Sequence, residues 1–158
     1  MKAISKAILD RLRGDETLTL GSRAAQAQTD LIALLGTQNA KASVLMGGLP
    51  SSVTYPCVRF WEDAGIRGLG GEGIGDVMYT VYRFEMFSQG RDGATLPTIA
   101  DCLELLLDER RDAPILTLAG DGRLYGHDLL TNFQGPYQDT TRDCFIGTMA
   151  FRFAEARP

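Results

Sequence analysis

Two strong β-strand patterns separated by a glycine-rich segment constrain this chain of 158 residues more than any other feature. The runs Tyr55 to Trp61 and Val77 to Ser88 are rich in β-branched and aromatic residues, which favour strands. The segment between them contains AGIRGLGGEGIGD. Connections of that length within compact domains are mostly functional or disordered. We therefore predict a long β-hairpin arm or loop that meets a partner.

The second strand pattern has apolar residues on both faces. One face carries Met78, Tyr82, Phe84 and Met86; the other carries Val77, Tyr79, Val81 and Phe87, interrupted by Arg83 and Glu85. A strand covered by helices on one side should show one polar face. We therefore expect the second face to contact another subunit.

Three segments have helical patterns. The run Ile4 to Leu12 has apolar residues at helical spacing, with Gly14 as a natural stop, and Ser22 to Leu35 begins with a good N-cap. The strongest pattern, Thr95 to Asp112, places Asp108 among its solvent-facing acidic residues. Leu105 falls outside its apolar stripe, which suggests a contact on another side.

Two further strands, Arg123 to Phe133 and Thr141 to Ala154, are predicted, with QGPYQD as the turn between them. Ser43 to Met46 is a candidate for one more short strand. Helices followed by the order β-β-α-β-β predict an α+β fold, with a largely antiparallel four-stranded sheet packed against two or three helices. We expect one domain over 1–158, with a helical N-terminal part (1–36) and a sheet-and-helix core (43–154).

The charge and cysteine content exclude several classes of protein. The formal net charge is −4 and the sixteen Lys and Arg residues are scattered, which argues against a nucleic-acid binder. An acidic protein surface would nevertheless allow DNA to pass along it without binding. The three cysteines, Cys57, Cys102 and Cys144, are predicted to be buried thiols in a reducing cytosol. No apolar run reaches membrane-spanning length.

The glycine-rich segment contains a formal G-x-G-x-x-G at Gly68, Gly70 and Gly73. A dinucleotide-binding fingerprint must open a helix, whereas a strand pattern follows here, so we expect no nucleotide site.

Other candidate chemistry is sparse. His127 is the only histidine, which excludes multi-histidine metal sites, and we interpret it as a surface or hydrogen-bonded structural residue. Glu62, Asp63, Glu72 and Asp76 could form a cation site or a glycosidase-like pair, although a solvated acidic loop is the favoured interpretation. We predict no catalytic, cofactor or metal site, and keep a small hydrolase using these carboxylates as the alternative.

Several local strings resemble the tail-terminator or tail-completion proteins of long-tailed bacteriophages and related phage-like particles. They are PCVRFWED, FEMFSQGRDG, IADCLELLLDE, the Arg123-Leu124 pair and the final strand from Thr141 to Phe153. The similarity covers roughly Gly47 to Ala154. The chain departs from the family at Ser22 to Ala42, a longer helical insertion than usual.

The resemblance implies a homo-oligomeric ring, a hexamer in that family, on the head-proximal end of a tail tube. Such a ring ends tube polymerisation and joins the tail tube protein to the head connector or stopper protein. DNA passes through it without specific binding, no cofactor or membrane is involved, and the protein resides in the virion after assembly in the host cytoplasm. Another neck, connector or tail-tube protein on a similar fold is the nearest alternative.

The interface candidates follow from the two-faced strand, the glycine-rich segment and the off-stripe leucine. They are Gly65, Arg67, Gly68, Gly70, Gly73 and Asp76 in the segment, Arg83 and Glu85 on the strand, and Leu105 on the helix.

Overall fold

The computed structural model describes residues 1–36, 40–69, 77–89 and 93–156; for residues 40, 41 and 64–69 it describes the backbone alone. The helices are α1 (Ala3–Arg13), α2 (Arg23–Leu35), the single turn α3 (Ala40–Ser43), α4 (Thr95–Leu107) and a 3₁₀ helix (Glu109–Arg111). The strands are β1 (Val44–Met46), β2 (Cys57–Leu69), β3 (Val77–Gln89), β4 (Leu124–Asp139) and β5 (Cys144–Ala156). The fold is α+β, as predicted.

The first two helices begin and end where their capping residues place them. Gly14 follows α1 with a φ of 80°, a left-handed conformation that glycine adopts without strain. Ser22 caps α2, because its Oγ accepts a hydrogen bond from the backbone N–H of Ala25 at 3.1 Å. Both predictions are confirmed.

The third predicted helix ends five residues early. After α4 ends at Leu107, the backbone of Asp108 is extended and a 3₁₀ turn follows. The prediction that Asp108 faces water is wrong. Its buried carboxylate accepts a hydrogen bond from the backbone N–H of Arg110 at 3.0 Å, which caps the 3₁₀ turn.

The sheet has one strand more than the four predicted and is mixed rather than wholly antiparallel. Its order is β1-β2-β3-β5-β4; β1 lies parallel to β2, and the other neighbours are antiparallel. The fifth strand, β1, lies within the candidate strand Ser43 to Met46, but at three residues it is too short for an alternating pattern to be decisive. Burial of Val44 fixes it in place.

The glycine-rich segment begins as strand, which corrects the loop expected to start at Gly65. In β2, Arg67 pairs with Thr80 and Leu69 pairs with Met78, after a register shift between Glu62 and Arg67. Glycine is common at such irregularities. Because β3 pairs with β5 along its whole length, the described part of the hairpin is an extension of the sheet.

The predicted turn QGPYQD is instead part of β4, and the turn lies at 140–143. β4 is the last strand of the sheet, where a proline does not interrupt the hydrogen bonds of a central strand. Register shifts on both sides of Gln134 accommodate Gly135, whose φ of 121° requires glycine, and Pro136.

The core lies between the sheet and the helices. Aromatic residues of three strands face α1 and α4: Phe60, Tyr82, Phe84, Phe151 and Phe153. The Phe84 and Phe151 rings meet edge to face at 5.3 Å between centroids, a favourable geometry. Helix α2 packs on α4 and α1, farther from the sheet. Within the described ranges, no helix combines the length and apolarity needed to span a membrane.

Candidate assembly interface

Along each strand, the side chains point alternately into the aromatic core and onto the sheet face turned away from the helices, here called the outer face. It carries Arg59, Trp61 and Asp63 of β2, Tyr79, Val81, Arg83, Glu85 and Phe87 of β3, Asp128 of β4, and Thr148, Ala150 and Arg152 of β5. The period of two in a strand causes this separation, because each core residue such as Phe84 is flanked by outer-face residues. The outer face thus places charges and rings on one surface.

Three ion pairs join neighbouring strands on the outer face: Arg59 with Glu85, Arg83 with Asp63, and Arg152 with Asp128. The first pair lies directly across β2 and β3 with 2.8 Å between nitrogen and oxygen, and the third directly across β4 and β5 at 2.9 Å. Opposite charges at facing positions stabilise a sheet modestly and fix its side chains.

Aromatic rings hold two of these arginines on the sheet. The Arg59 guanidinium lies 5.1 Å from the centroid of Trp61 and 5.6 Å from that of Phe87. The Arg152 guanidinium lies 5.3 Å from the centroid of Tyr79. Such cation–π contacts favour one orientation of each guanidinium.

The charges of the outer face are balanced. Among the residues that the structure describes, each of the arginines Arg59, Arg83 and Arg152 on this face has a carboxylate partner, so none of the three is left free for a phosphate backbone. Arginine, tryptophan and tyrosine are the residue types enriched in protein–protein contacts. The chemistry of this surface therefore suits a protein partner better than a nucleic acid.

A shallow groove of about 160 Å³ lies in the middle of the outer face. Its polar and aromatic lining includes Trp61, Arg83, Glu85, Thr131 and Gln134. The rim of the groove presents hydrogen-bonding side chains beside the Trp61 ring.

The predicted interface residues separate into three groups. Exposed Arg83 and half-buried Glu85 lie two positions apart on the outer face. Leu105 lies on α4, on the opposite side of the sheet, half-buried beside α2. Gly65, Arg67 and Gly68 belong to β2, whereas Gly70, Gly73 and Asp76 lie outside the described residues.

Sequence reasoning missed the partners that complete the ion pairs: Arg59, Asp63, Asp128 and Arg152. Part of the signal was available, since Arg59, Trp61 and Asp63 alternate with buried Val58 and Phe60. The register that places one strand against another cannot be obtained from that alternation.

The cysteines are buried free thiols, as predicted. Cys57 and Cys144 pack with Phe87 at one end of the outer face, against Tyr55 and Ile146. Burial raises the pKa of Cys57 to about 12, with Cys144 adding to the effect. Burial likewise raises the pKa of Cys102 to about 11. A thiol with such a pKa is a poor nucleophile at neutral pH.

His127 is a hydrogen-bonded structural residue, as predicted. Its Nδ1–H donates to the carbonyl of Leu107 at 2.7 Å, and its Nε2 accepts from the backbone N–H of Leu116 at 3.1 Å. Burial lowers the pKa of the imidazole. The neutral ring thereby joins β4 to the end of α4 and to the following loop.

The carboxylates of the alternative hydrolase hypothesis are engaged where they are described. Glu62 pairs with Lys2 and Asp63 with Arg83, while Glu72 and Asp76 lie outside the described residues. Among the residues that the structure describes, no group of three or more His, Cys, Asp or Glu side chains is arranged to hold a metal ion.

Comparison with known proteins adds evidence on the fold. No protein-family model matches the chain, and no curated protein matches it either. Among solved structures, it is similar to a chain from the virion of a native gene transfer agent (GTA) particle, with a TM-score of 0.60 and 16% sequence identity. The match covers 98% of this chain and 98% of that chain. The fold of this protein is therefore one that also occurs in a virion particle.

Proposed function

We propose that this protein is a structural component of a phage-like virion, and specifically a tail terminator. It forms a ring on the head-proximal end of the tail tube, ends tube polymerisation and joins the tail to the head connector or stopper protein. The observation that carries this proposal is the end-to-end similarity in fold to a chain of a virion particle. The resemblance of the strings in β2, β3 and α4 to tail terminators supports the finer role.

The chemistry of the outer face supports a role in association. Its arginines are neutralised by Glu85, Asp63 and Asp128, and its groove is lined by polar and aromatic side chains. We propose that Arg83, Glu85 and the glycine-rich segment from Gly65 to Asp76 contact a neighbouring subunit or the tube.

A ring built from identical subunits uses unlike patches on each one. Leu105 lies on the helical side, away from Arg83, and so belongs to a different patch. We propose that the ring has six copies, as in the family that the sequence resembles, and that DNA passes through it. The net charge of −4 is suited to such a conduit.

The proposed action is assembly, without catalysis or cofactor. Glu62 and Asp63 of β2 are paired with Lys2 and Arg83, and burial raises the pKa of the Cys57 and Cys102 thiols, which keeps them protonated at neutral pH. Function then depends on shape and association alone.

Polymerisation of the tail tube protein of the same particle tests the proposal. With the wild-type protein present, electron microscopy should show shorter tubes, each with a ring at one end. Arg83→Glu should reduce capping, because it breaks the pair with Asp63 and places a third acidic group beside Glu85. The matched control is Lys6→Glu, which breaks the exposed Lys6–Asp10 pair on α1, on the helical side.

Tube lengths that the wild-type protein leaves unchanged would contradict the terminator role. Tubes that instead incorporate the protein along their length would identify it as a tube protein.

A further inference from the structure

A second surface with unfilled apolar space lies between α2 and α4. This groove, here called the helical groove, has a volume of about 420 Å³ and is lined by Asp30, Ala33, Leu34, Thr98, Asp101, Cys102 and Leu105. Leu34 and Leu105 are only half-buried, so their exposed surfaces form its apolar floor. The off-stripe position of Leu105 is explained by this groove.

The helical groove has one carboxylate without a cationic partner. Asp101 pairs at 2.6 Å with Arg111, which also pairs with Glu104 at 2.9 Å. Asp30 is exposed and accepts a hydrogen bond from the neutral amide of Gln26 at 2.8 Å, with no ion pair among the residues that the structure describes. The groove therefore favours an occupant that combines one apolar side chain with one cation.

The turn before α2 presents that combination. Leu20 is 95% exposed, more than any other large apolar side chain that the structure describes. The backbone N–H and the Oγ of Ser22 both donate to the carbonyl of Thr19, at 3.1 and 2.7 Å, and so hold the turn. Arg23 follows, exposed and without an ion pair within the described ranges. We call Leu20 and Arg23 the knob.

We propose that the knob of one copy docks in the helical groove of the next copy. Leu20 then covers Leu34 and Leu105, while Arg23 pairs with Asp30. This inference rests on the proposed ring, and it names one of the contacts that would close it. It removes the exposed leucine from water and pairs two charges that otherwise lack partners.

The knob and the groove of one copy lie apart, and neither Leu20 nor Arg23 lines the groove. Arg23 and Asp30 are seven residues apart on α2, which separates their backbones by about 10 Å along the helix axis. Leu20 lies beyond the N-terminal end of the helix, whereas the groove runs beside its C-terminal half. Contact between two copies consequently joins unlike patches, the arrangement that generates rings.

Charge reversal tests the pairing directly. Sedimentation velocity over a range of concentrations, with and without tube protein, would compare the wild type with Arg23→Glu, Asp30→Lys and the double variant. Each single reversal should raise the midpoint concentration for assembly at least about tenfold, and the double variant should return to within about threefold of the wild type. Arg123→Glu, another exposed arginine, is the matched control and should assemble normally.

The apolar contact has its own test. Leu20→Asp should prevent assembly, whereas Ile115→Asp, at another exposed apolar position, should not. Assembly of all knob variants at wild-type concentrations would overturn this inference and leave the proposed ring intact. A wild-type protein that never assembles would overturn both.

Discussion

The two faces of the sheet differ in chemistry although the same strands build them. On β3, Tyr82 and Phe84 point into the aromatic core, while Arg83 and Glu85 lie on the outer face. Burial of one aromatic side chain is worth about 1.5–3 kcal/mol, whereas an exposed ion pair contributes about 0–1 kcal/mol. The comparison teaches that folding free energy is concentrated on the helix-covered face, so the charged residues of the outer face contribute little to folding and are available for the association that we propose.

The largest effect should come from the inner face. Phe84→Ala removes a fully buried ring that contacts Phe60 and Phe151, and should lower the free energy of unfolding by about 3–5 kcal/mol. Urea denaturation followed by circular dichroism measures this loss. A loss below about 1 kcal/mol would show that the aromatic layer is not the core of the fold.

Substituting a buried arginine and an exposed one shows whether the loss of stability depends on burial or on residue type. Arg11 is fully buried on α1, where its guanidinium donates to the carbonyl of Leu106 at 3.0 Å and to Glu16 at 2.7 and 2.8 Å. Arg11→Met should cost about 3 kcal/mol or more, because Glu16 and buried carbonyls lose their donor. Arg83→Met, measured in the same urea series, is the control. Equal losses in the free energy of unfolding for Arg11→Met and Arg83→Met would contradict the claim that the core side of the sheet carries more of the stability than the outer face.

The buried histidine predicts a pH dependence of stability. Burial lowers the pKa of His127 below its unfolded value of about 6.5, so the unfolded chain binds a proton that the folded chain does not. The free energy of unfolding should therefore fall as the pH drops below about 6.5, with a slope of up to about 1.4 kcal/mol per pH unit from this group.

His127→Gln should remove that component of the slope, while Lys6→Glu, at an exposed position of α1, should keep it. Urea titrations at several pH values between 5 and 7.5 make the comparison. An identical slope in the wild type and His127→Gln would contradict the role of the imidazole.

The smallest effect on folding should come from the outer face. Arg83→Ala should change the free energy of unfolding by less than about 1 kcal/mol, since Arg83 is about half exposed and its pair with Asp63 is partly solvated. Assembly, followed by sedimentation, should nevertheless weaken. A large loss of stability with unchanged assembly would reverse the assignment of the two faces.

Local signals in the sequence were sufficient for the boundaries of the first two helices, but not for the end of α4 at Leu107. Ser22 and Gly14 define the boundaries of α2 and α1 through capping chemistry that acts within a few residues. The strand β3 was equally clear, because its long apolar and aromatic run has no competing pattern.

Features fixed by tertiary pairing could not be predicted. The parallel pairing of β1 with β2 was not predicted, although Ser43 to Met46 was a candidate strand, and Gly135 and Pro136 remain in β4 because that strand lies at the sheet edge. The partners of Arg59 and Arg152 depend on strand register, which is a property of the folded sheet. Arg83, Glu85 and Leu105 were predicted as interface candidates, but the sequence could not show that they lie on opposite sides of the sheet.

The mass of the oligomer that the purified protein forms tests the central claim, assembly into a closed ring, most directly. Native mass spectrometry or mass photometry of the purified protein, combined with electron microscopy, should show a closed ring whose mass is an integer multiple of 17.2 kDa, about 103 kDa for six copies. A mass of 17.2 kDa at every concentration, both alone and with tube protein, would contradict the account.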